Sequence, residues 1–208
     1  VVSDRLQRYI VSRYKLTQAT TVLGNAVSKD LFSPLEKSAC RKRLNLPENT
    51  LLVGTAGALH KNRDIQTLFT AFRNLRNSKN PVHLVLAGPR DQNIKLPVGH
   101  DVHDLGVLKH SDVATMYGAL DLGVICNTDS AFGRYCYPQK FFEILACKLP
   151  VIAASVGTLQ DILVAHPYAL YEAGNPTSLT TGMEQLLKEP QIPDLEIPDW
   201  SDRAVQLE

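Results

Sequence analysis

The chain contains, at residues 138–155, the stretch Pro138-Gln-Lys-Phe-Phe-Glu-Ile-Leu-Ala-Cys-Lys-Leu-Pro-Val-Ile-Ala-Ala-Ser155. Pro138 suits the first turn of a helix, where its missing N–H leaves no hydrogen bond unmade, and Pro150 stops the helix from continuing. The apolar residues 151–154 that follow are typical of a strand buried on both faces. This stretch therefore predicts a short helix that runs directly into a buried strand, as in a parallel α/β sheet.

Lys140 and Glu143 lie three residues apart in this helix, so we expect them to share one face. A helix N-terminus with a lysine beside it attracts phosphate through its free amides, its dipole and the ammonium charge. Glu143, one turn further, can accept hydrogen bonds from a diol such as a ribose. The alternative is an ordinary core helix whose exposed Lys140–Glu143 ion pair contributes about 0.2 to 0.5 kcal/mol.

Short apolar runs alternate with helical patterns through most of the chain, which predicts βαβ units and a parallel sheet. The expected strands are 51–56, 83–87, 102–105, 122–126, 151–154 and 169–171, and the expected helices are 65–75, 111–120, 138–147, 159–164 and 176–187. Each crossover should be right-handed, with helices on both faces of the sheet. The fold class is therefore α/β, a doubly wound Rossmann-like domain.

Residues 1–50 have a different pattern, with helices expected over 6–14 and 35–44 and a short strand over 21–23. They fit either an N-terminal subdomain or the end of a preceding domain with its linker. The chain opens without methionine inside an amphipathic segment and closes within another helical pattern. We therefore expect a piece of a longer protein.

Composition excludes several classes of protein. The 208 residues are 44% hydrophobic and 21% charged with a net charge of +1, and no basic run predicts a nucleic-acid surface. No stretch reaches the roughly 18 apolar residues that a membrane span needs, and we expect no signal peptide. The cysteines lack metal-ligand spacing, so we expect reduced thiols at Cys40, Cys126, Cys136 and Cys147.

Ligands of doubly wound sheets bind at the carboxyl ends of the strands, so the loops there are the candidate sites. After the first strand, Gly57 allows close backbone approach, and Lys61 and Arg63 can neutralise a diphosphate. The alternative is a basic loop that faces solvent. Gly106, after the third strand, can present backbone groups to a base edge, and Gly157, after the fifth, can form a second nest of amides.

Other polar residues in these loops favour structural interpretations. Gly88 suits a tight turn, and Arg134 suits a solvated surface position. His100 and His103 have the HxxH spacing of some metal ligands, but an extended segment sends them to opposite faces. We therefore expect no metal site.

Four stretches together resemble the retaining glycosyltransferases of GT-B fold in the sucrose-synthase and mannosyltransferase-like family, also called group 1. Residues 143–151, Glu-Ile-Leu-Ala-Cys-Lys-Leu-Pro-Val, are similar to the family's Glu-Ala-Met-Ala-Cys-Gly-x-Pro-Val. Residues 57–64 are similar to its Gly-Arg-Leu-x-x-x-Lys-Gly loop. The turn at 25–28 followed by Phe32-Ser33-Pro34 is similar to its domain exit, and Trp200, Ala204 and Leu207 to its terminal helix.

The resemblance implies that this chain is the C-terminal half of such an enzyme. Residues 1–50 would be the end of the N-terminal acceptor domain and the linker, 51–190 the donor-binding domain, and 191–208 the start of the helix that crosses back. Arg63 and Lys140 would contact the diphosphate as the catalytic cations, and Glu143 would bind the ribose. Gly57, Lys61, Gly106 and Gly157 complete the predicted donor site.

The implied reaction transfers a sugar from a nucleoside-diphosphate-sugar to an acceptor hydroxyl, with retention and without a metal or other cofactor. The acceptor, a glycan, lipid or small molecule, would bind the missing N-terminal domain, so this piece would bind donor without turnover. Family habit also implies glycan, polysaccharide or glycolipid biosynthesis in the cytoplasm, with peripheral membrane association.

Three departures from the family pattern leave alternatives open. Ala58 replaces the loop arginine, Asp64 replaces a glycine, and Tyr135 replaces the acidic residue eight positions before the glutamate. These favour a catalytically weakened nucleotide-sugar-binding module as one alternative. Another is a nucleotide-sugar 2-epimerase, but its acid–base carboxylates would have to include Asp129, the only one in the loop 127–137.

Overall fold

A computed structural model describes residues 1–76, 82–137 and 139–205. The described residues form a parallel sheet of six strands in the order β3-β2-β1-β4-β5-β6. The strands are β1 Leu51–Ala56, β2 Val82–Ala87, β3 Val102–Asp104, β4 Leu122–Ile125, β5 Val151–Ala154 and β6 Leu170–Tyr171. The strand order reverses between β1 and β4, and the carboxyl ends of these two strands therefore flank the crevice where doubly wound sheets bind ligands.

Helices cover both faces of the sheet, as the alternating pattern predicts. They are α1 Asp4–Tyr14, α2 Lys37–Arg43, α3 Ile65–Arg76, α4 His110–Ala119, α5 Ala131–Tyr135, α6 Gln139–Ala146, α7 Gly157–Ile162, α8 Pro176–Lys188 and α9 Trp200–Val205, with 3₁₀ turns at Lys61–Arg63 and Pro167–Ala169. Buried residues of α3 and α8 belong to one hydrophobic cluster. Those of α2, α4 and α6 belong to a second cluster on the other face.

The strands alternate their side chains between these two clusters. In β5, Val151 and Ala153 join the cluster under α4 and α6, while Ile152 and Ala154 join the cluster under α3 and α8. Successive strand residues point to opposite faces, and both faces are covered. The continuous apolar runs in the sequence follow from this double burial.

Helix α2 is packed into the same body as the sheet. Its Cys40 is buried in the cluster that contains Tyr117 of α4. Arg41, only 4% exposed, donates from Nε to the carbonyl oxygen of Ala119 at 2.9 Å and from Nη2 to Asp121 Oδ2 at 2.7 Å. The division at residue 50 stays a prediction, since these contacts describe packing alone.

Helix α1 lies against α5 and α7. Arg5 forms a two-pronged ion pair with Asp161 of α7, at 2.5 and 2.7 Å. The rings of Tyr9 and Tyr135 contact each other, with centroids 4.7 Å apart.

Two local expectations are wrong. Residues 21–23 form no strand; the Leu23 amide instead donates to the Val1 carbonyl oxygen at 2.7 Å, because no strand of the described sheet lies beside it. The loop 127–137 contains helix α5, capped by Ser130 Oγ, which accepts from the Gly133 amide at 3.3 Å. Pro138 and Leu207 lie outside the described residues.

Candidate functional site

The loops that follow β1 and β4 are joined across the crevice. Arg63 Nη1 donates to Asn127 Oδ1 at 3.1 Å. The Asn62 carbonyl oxygen accepts from the Thr128 amide at 3.3 Å and from its hydroxyl at 3.2 Å. The Arg63 guanidinium also lies over the ring of Phe132, 4.8 Å from its centroid. Arg63 is therefore held at the switch point, on the side where a ligand would enter.

Lys140, in the first turn of α6, reaches the end of β1. Gly57 has a positive φ of 111°, and a Cβ built on it would lie 3.2 Å from Lys140 Nζ. The absence of a side chain at residue 57 thus lets the ammonium group approach the backbone that follows β1. The structure brings Gly57, Arg63 and Lys140 together, although they are distant in sequence.

The surroundings of Lys140 disfavour its positive charge. Burial and then the neighbouring Arg63 guanidinium lower the pKa from 10.5 to about 8, and Cys126, Cys136 and Glu143 oppose that shift. Two cations close together in a partly desolvated crevice favour an anionic ligand, because the anion relieves their repulsion.

Glu143, one turn after Lys140, is 7% exposed. The alternative of an exposed Lys140–Glu143 ion pair is therefore wrong. Burial raises the pKa of Glu143, while His110 and Lys140 oppose the shift. His110, the first residue of α4, places Nε2 3.3 Å from Glu143 Oε1.

The turns at the carboxyl ends of β1, β2 and β3 contact one another through three glycines, Gly57, Gly88 and Gly106. A Cβ on Gly88 would collide with the carbonyl oxygen of Gly57, which supports the structural role expected for Gly88. The Gly88 amide donates to the Gly106 carbonyl oxygen at 2.7 Å. Gly106 has a φ of 64° and open space where a side chain would stand.

Gly157 and Lys61 are the two other residues predicted to bind the donor. Gly157 begins α7 with a φ of 61°, and a Cβ there would lie 2.5 Å from the carbonyl oxygens of both Gly133 and Arg134. A glycine is thus needed for the close approach of α7 to α5. Lys61 is exposed in its 3₁₀ turn. The donor-binding roles of Lys61 and Gly157 stay predictions.

The loop between β4 and α6 has little free charge. The exposed Arg134 donates from Nε to Asp129 Oδ1 at 2.7 Å, in agreement with the solvated position expected for it. Tyr135 stands where the resemblance implies a carboxylate, and its ring packs on Tyr9 of α1.

His100 and His103 do not point to opposite faces. Both rings lie near His83, with centroid separations of 5.9 Å and 5.2 Å. The reason is that β3 begins only at Val102, so His100 sits in a turn where strand alternation does not apply. Within the described ranges, no group of three or more His, Cys, Asp or Glu side chains is placed to hold a metal ion.

Two residues of the site escape sequence reasoning. His110 is one of six histidines in the chain and has no distinctive spacing. Asn127 is visible only as the first polar residue after β4. The position of Asn127 just after a strand is a weak signal for a site residue. His110 is revealed only by the packing of α4 against α6.

A parallel sheet of this order, with paired cations and a buried carboxylate at its switch point, defines the class of Rossmann-like nucleotide-binding domains. The family model of glycosyl transferases group 1 matches residues 36–197. The chain belongs to this family.

Curated relatives include the D-inositol 3-phosphate glycosyltransferases of Stackebrandtia nassauensis and Thermobispora bispora. The first is 27% identical over 187 residues, 81% of this chain and 41% of the relative. The second is 26% identical over 191 residues, 83% of this chain and 43% of the relative. The chain thus spans about two fifths of the length of these relatives.

Solved structures share the fold. Sucrose-phosphate synthase from Thermosynechococcus elongatus matches with a TM-score of 0.80 at 21% identity, over 100% of this chain and 55% of that one. Anabaena HepE in complex with UDP matches with a TM-score of 0.74 at 20% identity, over 89% of this chain and 52% of that one. The expected Rossmann-like half of a GT-B glycosyltransferase is confirmed. No described helix is long and apolar enough to cross a membrane.

Proposed function

We propose that this chain is the donor-binding part of a glycosyltransferase that moves a sugar from a nucleoside-diphosphate-sugar to an acceptor hydroxyl, with retention. The observation that carries the proposal is the convergence of Arg63, Lys140 and Glu143 at the crevice between β1 and β4. Two cations suit a diphosphate, and a buried carboxylate one helical turn away suits a ribose diol.

In the proposed reaction the sugar–phosphate bond breaks and negative charge builds on the leaving diphosphate. Arg63 and Lys140 stabilise that charge in a partly desolvated site, where fixed cations act more strongly than in water. Gly57 leaves room for the Lys140 ammonium group, and Gly106 has open space where a side chain would stand. These cations supply the charge compensation, so the proposal needs no metal or organic cofactor.

The comparisons support a nucleotide-sugar donor. One structural neighbour is described in complexes with UDP and with UDP-glucose, and the curated relatives are named as glycosyltransferases. The base, the sugar and the acceptor of this chain are left open in the proposal. The proposed acceptor is a glycan, a lipid or a small molecule, and it binds another part of a longer protein.

A catalytically weakened binding module is the second candidate, because one observation favours it. Tyr135, in the position of the implied sugar-binding carboxylate, is packed against α1 through Tyr9. An epimerase is less favoured, since Asp129 is engaged by Arg134.

The binding site is tested by titrating this chain with UDP, GDP and ADP in a calorimeter. We expect one of these nucleoside diphosphates to bind. Either Lys140→Ala or Glu143→Ala should weaken its affinity about tenfold or more, as loss of a charge-assisted contact does. Lys188→Ala, which removes an exposed lysine of α8, is the control. Unchanged affinity in both site variants would place the donor elsewhere.

The reaction is tested with the longer protein and a panel of nucleotide-sugars. Transfer to an acceptor with retained anomeric configuration supports the proposal. An epimerised donor, or binding without turnover, would replace it by one of the alternatives.

A further inference from the structure

We propose that His110 is a positioning residue that holds the Glu143 carboxylate in the orientation that binds the ribose hydroxyls. This inference rests on the proposed function of Glu143 and adds a residue from a different helix. It starts from the contact between His110 Nε2 and Glu143 Oε1 at 3.3 Å.

Glu143 needs such a partner because its side chain is only 9% exposed. A buried carboxylate loses its water, and a hydrogen bond from a neighbour offsets that cost and fixes the direction of its lone pairs. Tyr117 also lies close, since Glu143 contributes to the raised pKa of that phenol. The Tyr117 hydroxyl makes no hydrogen bond with the described part of the chain, so it does not take the place of His110.

The imidazole itself is anchored. Its ring packs against the Phe32 ring in an edge-type contact, with centroids 4.9 Å apart and an interplanar angle of 65°, and Phe32 is 2% exposed in the core. Residue 110 is also the first residue of α4, whose Tyr117 is buried. The core thus fixes one end of the His110–Glu143 contact, although 64% of the histidine side chain is exposed.

In this arrangement the Glu143 carboxylate accepts a hydrogen bond from His110 and can still accept hydrogen bonds from a ligand. His110 holds Oε1, which leaves Oε2 and the second lone pair of Oε1 for a vicinal diol. In the proposed complex Arg63 and Lys140 meet the phosphates. Lys140 approaches Gly57 and Arg63 donates to Asn127, so neither of these contacts involves His110. Loss of the imidazole should therefore weaken recognition of the ribose and spare recognition of the diphosphate.

The experiment compares a ribonucleotide with its 2′-deoxy form. The probe is whichever of UDP, GDP and ADP binds this chain best, together with the matching 2′-deoxynucleoside diphosphate, both titrated by calorimetry. We expect His110→Ala to weaken the ribonucleotide about 3- to 10-fold, as the loss of one hydrogen bond does, and the deoxy form less than about 2-fold. His110→Gln, which can place an amide nitrogen near the same point, should restore most of the loss.

The controls separate this inference from its premise. His166→Ala removes a histidine on the loop before β6 and should change neither affinity. An equal loss for both nucleotides in His110→Ala, or no loss, would overturn the positioning role. If the unaltered chain binds no nucleoside diphosphate, or if Glu143→Gln does not reduce the preference for ribose, the proposed function fails instead.

Discussion

Lys140 carries a charge that its surroundings oppose. Its pKa of about 8 means that the unliganded site loses a proton within the mildly alkaline range. A bound diphosphate would favour the ammonium form and raise that pKa again. Ligand binding and protonation of Lys140 are therefore coupled.

This coupling predicts a pH-dependent affinity. Nucleoside diphosphate affinity should fall as the pH rises from 7 to 9. Binding near pH 8 should take up about half a proton per site, because half of the free sites still carry one at a pH equal to the pKa. Calorimetry in buffers of different ionisation enthalpy measures that uptake. Lys140→Arg stays charged across this range, so its affinity should not fall as the pH rises. Proton uptake of the same size in Lys140→Arg would assign the effect to another group.

The same shift predicts that Lys140 destabilises the unliganded fold. Between pH 8 and 10.5 the unfolded chain binds more protons at this lysine than the folded chain, so its contribution to the free energy of unfolding rises with pH. At pH 7 we expect Lys140→Met to raise that free energy by about 1 to 3 kcal/mol. Urea unfolding of Lys140→Met and of Lys188→Met as control measures it. A loss of stability in Lys140→Met would contradict the prediction.

At the scale of elements, Asp121 joins helix α2 to the sheet. Its carboxylate accepts from Arg41 Nη2, Lys37 Nζ and the Leu52 amide, each at 2.7 Å. Arg41 is buried and cannot recover water if this partner is lost. The network therefore ties α2 to the start of β1.

Two substitutions test how much this network contributes. Asp121→Ala should lower the free energy of unfolding by about 2 to 4 kcal/mol, because it leaves the Arg41 charge buried and without its carboxylate. Asp112→Ala removes a second arginine pair between α2 and α4, in which Arg43 is 64% exposed, and should cost less than about 1 kcal/mol. Chemical denaturation of both variants gives the comparison. Equal costs would mean that burial does not govern these pairs.

The regular elements follow closely from local patterns. The predicted strands 51–56 and 151–154 have the observed bounds, and the others differ by one residue at one end, because strands buried on both faces leave continuous apolar runs. The sequence does not predict helix α5, since its five residues contain a glycine and give no apolar period. The cations of the site could be predicted from the carboxyl-end rule. His110 and the Tyr9–Tyr135 contact could not, because they depend on how separate helices pack.

At the scale of the whole molecule, residues 25–27 contact both the segment that enters α6 and Pro198, which is distant in sequence. Asn25 Nδ2 donates to the Tyr137 carbonyl oxygen at 2.6 Å, and Gln139 Nε2 donates to the Ala26 carbonyl oxygen. The Val27 amide donates to the Pro198 carbonyl oxygen at 3.0 Å. The segment near residue 25 therefore braces the entry to the helix that carries Lys140 and Glu143.

This bracing predicts an effect on binding at a distance. Asn25→Ala should weaken nucleoside diphosphate binding about 2- to 10-fold while lowering the free energy of unfolding by only about 1 kcal/mol, the usual value of one hydrogen bond. Asn74→Ala, which removes an exposed bond to Thr180 between α3 and α8, is the matched control and should leave affinity unchanged. Equal affinities for the two variants would show that the brace does not affect α6.

Because three of the four cysteines are buried, thiol reagents should react selectively with the fourth, Cys136. Burial raises the pKa of Cys126 and Cys147 to about 12 and also raises that of Cys40, so these thiols stay protonated and unreactive. Cys136 is partly exposed, with its sulfur 3.9 Å from Arg63 Nη1. A maleimide dye should therefore attach once per chain, at the edge of the crevice, and a bound nucleoside diphosphate should slow the labelling. Without any engineered cysteine, the native chain offers an attachment point for a fluorescent reporter of its own ligand.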